Sequence, residues 1–333
     1  MRLDEATFDK FARHETFHPR YGWVKKAVEG ATLPGDQFHS ERAVVLFGVG
    51  KNMVKSIKFW GLAYKVLDVG GEKNRDGLGP SAIGHAVFGN GGWDPFAELP
   101  ATHWLLHWLL LSPRSEVPAW WIVFNEFPGI EFTEPQISQY VADQVRGYKV
   151  HFSSIQKDVS CLLRMYVEGS QARSTFDDLV DCPSRDLGLI IATPEPGVYR
   201  FAIGDRPTLP PSILAFACLD FAAKSGNSST IVLTRLASEA GSPGKVFKLT
   251  ESALYALLAS ACELHPEISL QNSSGAPQLA FEHADIAGTK VLASYFEDVL
   301  GRETAVKHGL LCGPSAKQIS DGWSPVQTTA IQK

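Results

Sequence analysis

Apolar positions recur with a helical period along most of the chain and are separated by short clusters of Gly, Pro, Ser and Asp, so the sequence predicts many short helices. In HPRYGWVKKAVEG, Pro19 stands near a helix start and Gly30 near its end. The loop LPGDQ follows. Ser40 is placed to cap ERAVVLFG, with Glu41 beside the positive helix end. Gly48 and Gly50 mark a tight turn, after which KNMVKSIKFWGLAYKVL reads as a helix of about four turns. GGEKNRDGLGPS is a polar loop. The Trp- and Phe-rich stretch from Ser81 to Gly129 predicts short helices, among them THWLLHWLLL and PAWWIVF. Thr133-Glu134-Pro135 opens a helix to about Arg146, and Ser153 or Ser154 caps SIQKDVSCLLRMYVEG.

Polar residues from Gly169 to Ser174 form a boundary. Beyond it DDLVDCPSRDLGLI reads as a helix and turn, and IIATPEPGVYRFAIG as a hairpin around Pro-Glu-Pro-Gly. PPSILAFACLDFAAKSG and SSTIVLTRLASEAG read as helices, SPGKVF as a turn, TESALYALLASACELH as a capped helix. ISLQNSSGAPQLAFEH reads as two strands around Ser-Ser-Gly. Helix, turn, helix, hairpin is the order of a winged helix-turn-helix. The expected fold is mainly α with small β wings (α+β), with winged helix-turn-helix units in the N- and C-terminal halves. The expected division is an N-terminal DNA-binding domain over 1–150, a C-terminal winged-helix-like domain over 151–320, and a tail over 321–333.

Composition changes this picture little: 44% hydrophobic and 20% charged residues over 333 positions is ordinary for a globular chain with a large core. The five cysteines (161, 182, 218, 262 and 312) form no CxxC pair and no zinc-ribbon spacing, which suits reduced, buried thiols. The start, MRLDEATFDK, lacks an apolar stretch, and the run Trp104 to Leu111 is far short of the roughly 20 residues that span a bilayer. A cytoplasmic location is expected.

Charge adds more. The net of −5 hides a segregation: Arg13 to Arg75 holds eleven Lys/Arg against six Asp/Glu, and residues 76–333 hold eighteen against twenty-seven. At 100° per residue Lys51, Lys55, Lys58 and Lys65 fall within about 80°, opposite Met53, Ile57, Trp60 and Tyr64. No Asp or Glu lies between Lys51 and Lys65, so helical counter-charges are absent. One face can enter a core while the other meets a phosphate backbone. Lys51 and Asn52 stand where recognition helices touch bases, and Gly48 and Gly50 let backbone N–H groups approach a phosphate. A solvated lysine face is the alternative. GVGK is not a P-loop, because Asn52 follows the Lys and no Gly stands five residues before Gly50.

Residues 14–18, His-Glu-Thr-Phe-His, match H-E-x-x-H formally, but Pro19 disfavours a helix there, which argues against a zinc peptidase. The cluster Arg13, His14, Glu15, His18, Arg20, Lys25 and Lys26 is nonetheless the residue set for phosphodiester cleavage. His14 and Glu15 are candidate ligands for Mg²⁺ or Mn²⁺, His14, Glu15 and His18 candidate bases, and Arg20 a phosphate clamp. Lys25, Lys26, Lys51, Asn52, Lys55, Lys58 and Lys65 are candidate DNA contacts. A structural network of the same residues is the other reading. His103 and His107 fit a packed helix. Asp177, Asp178, Asp181 and Asp186 fit solvated helix ends or, alternatively, a metal site.

FARHETFHPRYGWVKKA, FGVGKNMVKSIKFWGLA, SIQKDVSCLLRMY, DLVDCPSRDLGLI, YRFAIG and SPGKVFKLT together resemble a bacterial family labelled as a domain of unknown function, of the SspB type found in single-strand DNA phosphorothioation (Ssp) defence systems. The resemblance runs from about residue 8 to 260. It implies a DNA nickase that opens a strand for partner enzymes: a cysteine desulfurase, an ATP-using sulfur-transfer enzyme and an ATPase. No PD-(D/E)xK or HNH motif accompanies it. A non-enzymatic DNA-binding adaptor and a transcriptional regulator of the defence operon remain alternatives, and homodimerisation is among the assemblies to test.

Overall fold

The computed structural model describes residues 2–69, 77–167, 182–273 and 275–301. After a one-turn helix α1 (Leu3–Ala6), an irregular segment leads to α2 (Trp23–Thr32). α2 begins later than Pro19 suggests, because Gly22 at its N-cap turns left-handed (φ 79°), a conformation glycine adopts freely. α3 (Ala43–Phe47) and α4 (Lys51–Ala63) are joined through Gly48, left-handed at φ 64°. Ser40 is not a cap: its Oγ donates to the Gln37 carbonyl at 3.1 Å, and Arg42 holds the N-cap position of α3. The flanks of the expected polar loop are paired strands, β1 (Leu67–Val69) and β2 (Leu78–Pro80). Ser81 caps α5 (Ala82–Phe88), accepting the Gly84 N–H at 3.0 Å.

Two helices, α6 (Pro100–Leu111) and α7 (Pro118–Asn125), are apolar all round, and each starts on a proline at its first turn. β3 (Glu131–Thr133) leads into α8 (Glu134–Gln144), which opens with a capping box between Thr133 and Gln136. α9 (Phe152–Tyr166) starts from His151 rather than from a serine cap. A short 3₁₀ turn at Arg185–Leu187 precedes the expected hairpin, β4 (Ile190–Ala192) and β5 (Val198–Phe201). α10 (Pro211–Lys224) follows. The stretch expected as one helix from Ser228 opens instead as strand β6 (Thr230–Val232), in keeping with its β-branched residues, and only then becomes α11 (Leu233–Ser238). SPGKVF is a short helix, α12 (Pro243–Phe247), capped by Ser242. Thr250 caps α13 (Glu251–Leu264), and β7 (Ile268–Ser273) and β8 (Ala276–Phe281) form the second expected hairpin. α14 (Ala284–Leu300) is a further helix that the reading of the sequence lacks; it packs along α10.

Three small antiparallel sheets result, ordered β1-β2, β3-β5-β4 and β6-β8-β7. The last two share a plan. A helix (α7 or α10) precedes a first strand, two helices (α8 and α9) or three (α11, α12 and α13) follow, and a hairpin closes the sheet with its second strand in the centre. α2, α3, α4 and the β1–β2 hairpin repeat this order without the first strand. β3 pairs with β5 across residue 150, so a division there would split a sheet. Trp60, Trp104, Trp108, Trp120 and Trp121 lie fully buried in one contiguous apolar core centred on α6, α7 and α10. Among the described residues no helix is long and apolar enough to cross a membrane, and Cys161, Cys182, Cys218 and Cys262 are free thiols. Asp177, Asp178, Asp181, Cys312, the 169–174 boundary and the 321–333 tail lie outside the described residues.

Candidate nucleic-acid interface

α4 splits as its periodicity requires. Val54, Ser56, Ile57 and Trp60 are buried, while Lys51, Asn52 and Lys55 are exposed and Lys58 is half-buried. Lys55 lies 3.5 Å from Glu15, and Lys51 and Lys58 have no carboxylate partner among the described residues. The outward face therefore carries positive charge with a single carboxylate set against it.

That carboxylate is held by a strained turn. Ala12, Glu15 and Thr16 are left-handed at φ 52°, 49° and 66°, a region that costs a non-glycine residue on the order of 1 kcal/mol. Bonds from two helices over-determine the segment. Asp158 of α9 accepts the Ala12 N–H and the His14 Nε2–H, both at 2.8 Å. From α4, Ser56 Oγ donates to the His14 carbonyl at 3.1 Å and Trp60 Nε1 to the Phe17 carbonyl at 3.0 Å. Arg164, also of α9, donates to the Thr16 carbonyl at 2.7 Å. The His14 ring lies on Trp60 with the planes 25° apart. Burial pushes the Asp158 carboxyl above its ordinary range, against the lowering pull of His14 and of the Ala12 N–H.

The turn separates the residues grouped in sequence. His14 is 1% exposed and points inward, whereas Glu15 is 35% exposed and points to α4. His18 is buried. The spacing of H-E-x-x-H thus yields no common face. Arg20 lies over the Trp23 ring at 5.7 Å, and its Nε is buried without a hydrogen-bond partner among the described residues.

Three lysines expected to touch DNA are turned to another task. Lys26 Nζ donates to the Phe47 carbonyl at 2.7 Å, at the end of α3, and Lys25 Nζ to the Phe88 carbonyl at 3.0 Å, at the end of α5. Lys65, left-handed just beyond α4, reaches the Leu109 and Ser112 carbonyls at the end of α6. Each ammonium meets the unpaired carbonyls and the negative end of a helix. The basic stripe is therefore Lys51, Lys55 and Lys58, without Lys65.

The donor set fits a divalent cation only in part. Among the described residues no group of three or more His, Cys, Asp or Glu side chains converges as a metal cluster. His14 gives its Nε2–H to Asp158 inside the core, which leaves its Nδ1, buried and without a hydrogen-bond partner among the described residues, as the one nitrogen that could face a cation. Glu15 remains, a single outward hard-oxygen donor, and Mg²⁺ is commonly held by one or two carboxylates together with substrate phosphates.

A cavity of about 260 Å³ lies elsewhere, between Tyr21, Phe96, His103, Trp104, Asp186 and Thr208. Tyr21 donates to Asp186 at 2.8 Å, so Asp186 is engaged there. Sequence reasoning missed Ser56, Asp158 and Arg164. Asp158 left a signal, being the only acid of α9 and lying on its apolar side beside Ile155, Val159 and Leu162.

The sequence profile of DUF4007, described as a protein of unknown function, matches residues 11–296. No protein with a curated description matches the chain. Among solved structures, an SspB crystal structure is similar at 35% identity with a TM-score of 0.83, covering 91% of this chain and 92% of that one. A magnesium ion-bound SspB crystal structure is similar at 32% identity with a TM-score of 0.85, covering 96% of this chain and 97% of the other.

Proposed function

The chain belongs to the DUF4007 family, and on that premise we propose that it is a DNA-binding component of an Ssp phosphorothioation system that cuts one DNA strand beside Glu15. The observation that carries this reading is the strained 12–16 turn, which sets one carboxylate 3.5 Å from Lys55 on a helix face whose own charges are all lysines. Strain maintained by bonds from two helices is a mark of a functional position. In this reading α2–α3–α4 with β1–β2, α7 to β5 and α10 to β8 are winged-helix units, and these replace a two-domain division. The strand order with the last strand central in two of the sheets supports it.

Lys51, Lys55 and Lys58 bind the phosphate backbone and Asn52 reads a base edge. Arg20 is the candidate phosphate clamp. Glu15 takes a proton from water, the oxygen adds to phosphorus, the bond to a sugar oxygen breaks, and the leaving oxygen takes its proton from solvent. The resemblance to a magnesium-bound SspB supports Mg²⁺ or Mn²⁺ as the cofactor. Glu15 is the residue that would hold such an ion, which would neutralise the phosphate charge. His14 acts as a positioning residue, and buried His18 has no contact with substrate. A cysteine desulfurase, a sulfur-transfer enzyme and an ATPase are the proposed partners, in the cytoplasm.

The test is conversion of supercoiled plasmid to open circle with Mg²⁺, with Mn²⁺ and with EDTA. Glu15→Gln should abolish nicking while leaving DNA affinity within about twofold. Nicking retained by the variant would remove Glu15 from the site. Binding without nicking by the parent protein would favour the adaptor.

A further inference from the structure

α9 holds the same place in its part of the chain as α4 does in the first: each is, among the described residues, the last α-helix before a two-stranded hairpin. α13 holds that place in the third. The outward faces of the three differ in charge. On α9, Ser153, Gln156, Lys157 and Arg164 are exposed, with Ser160 half-buried among them. At 100° per residue these five positions fall within about 100°. The single acid of α9, Asp158, is 2% exposed and bonded to His14, so the outward face carries only positive charge. Lys157 has no carboxylate partner among the described residues.

On α13 the exposed residues include Glu251, Ser252, Tyr255, Ser260, Glu263 and Leu264. No Lys or Arg occurs from Leu249 to Thr289. Such a surface repels a polyanion.

α4 and α9 are also fixed to each other. Lys55 meets Glu15 and Arg164 meets the next residue, Thr16. With neighbouring Cα atoms 3.8 Å apart, the two cationic groups lie on the order of 10 Å from each other. The remaining bonds of the segment, to Ser56, Trp60 and Asp158, allow this spacing little freedom.

We infer that α9 is a second DNA-contacting helix, whose Ser153, Gln156, Lys157 and Arg164 continue the basic stripe of α4 across the Glu15–Thr16 turn, while α13 stays off the DNA. The inference rests on the proposal that α4 binds DNA. The surface would hold a backbone wider than one helix can cover, with Gln156 and Ser153 offering hydrogen bonds beside the phosphate contacts.

The experiment measures affinity of the full chain for a fluorescein-labelled duplex across a salt series, in the parent and in Lys157→Glu, Gln156→Glu, Lys55→Glu and Ser260→Glu. Arg164 is left intact because it anchors the turn. Lys157→Glu should weaken binding about tenfold near 0.1 M salt and lower the salt slope by about 1. Gln156→Glu should weaken binding severalfold. Ser260→Glu, on α13, should change neither quantity. Melting temperatures accompany each variant; if Lys157→Glu melts early, Gln156→Glu decides. Parent-like binding by both α9 variants, with Lys55→Glu weakened, would overturn the role of α9 and leave α4 standing. Parent-like binding by Lys55→Glu as well would overturn both. An equal loss in Ser260→Glu would mark a general charge effect and overturn the assignment of α9.

Discussion

His14 and Asp158, far apart in sequence, share a hydrogen bond of 2.8 Å at side-chain exposures of 1% and 2%. The bond joins the turn that carries Glu15 to α9, while the backbone of the same histidine is held by Ser56 of α4. Asp158→Ala removes the acceptor of two donors, the buried His14 Nε2–H and the partly buried Ala12 N–H. Stranding buried donors costs roughly 1–3 kcal/mol, and a void adds to it. The melting temperature should fall by several degrees. Nicking should fall further than DNA affinity, because α4 keeps its lysines while Glu15 loses its fixed position. Equal losses in both would point to simple unfolding.

A pH dependence follows from His107 in α6. Its Nε2–H donates to the Val246 carbonyl at 2.9 Å, and the Tyr166 hydroxyl donates to Nδ1 at 2.8 Å. Burial, reinforced by the charges of Lys248 and Arg206 and only partly offset by the Val246 bond, lowers its pKa to about 3. The unfolded chain therefore binds a proton below pH 6.5 that the folded chain refuses until about pH 3. Stability from this group is fully present above pH 6.5 and declines as pH falls towards 3, by up to about 1.4 kcal/mol per pH unit. His265 is lowered by burial in the same direction. Urea unfolding between pH 5 and 7 should show this slope. His107→Gln should reduce it by one proton and leave the share of His265. An unchanged slope in the variant would show that His107 accepts its proton in the folded state.

The lysines separate into two classes. Lys65→Met deprives the α6 carbonyls of Leu109 and Ser112 of a donor and should lower the melting temperature while leaving the salt slope of DNA binding unchanged. Lys51→Ala removes an exposed charge and should do the reverse, lowering the slope by about 1 at constant stability. Calorimetry and a salt titration on the same two variants distinguish the classes. A slope that changes with Lys65→Met would return Lys65 to the DNA face.

These lysines also show where the sequence stopped being legible. The 51–63 helix and its two faces follow from local periodicity, so α4 was readable with its charges. Whether a lysine meets a phosphate or the open carbonyls of another helix depends on distant segments: Lys65 finds its partners in α6 and Lys25 in α5. The same limit hid the fate of the His-Glu-x-x-His run. Three left-handed residues between Ala12 and Thr16 turn the two ends of a local motif apart, and they are held by Asp158 and Arg164 of α9. The hairpins at Pro-Glu-Pro-Gly and Ser-Ser-Gly are legible in the sequence because turn chemistry is local. The strands β3 and β6, of three residues each, are completed by pairing with β5 and β8; β6 shows locally only as the β-branched run Thr230-Ile231-Val232, too short to mark a strand by period.

The close packing of α5 against the chain leaving α4 makes the sharpest stability test. Gly84 lies in the first turn of α5, and a Cβ built there would stand 2.0 Å from the Val66 carbonyl oxygen. That oxygen cannot retreat freely, since it accepts the Ser81 N–H at 2.9 Å, and Ser81 caps the same helix. Gly84→Ala must therefore push α5 away from β1 or break the cap. A cost of about 1–3 kcal/mol or more is expected, with a fall of several degrees in melting temperature. Gly79→Ala in β2 is the matched control, because nothing lies within 4 Å of its Cβ. It should melt within a degree or so of the parent. If the β1–β2 hairpin helps to hold α4 on DNA, Gly84→Ala should also weaken binding well below its melting transition. Loss of stability with parent-like affinity would confine the DNA surface to the helices.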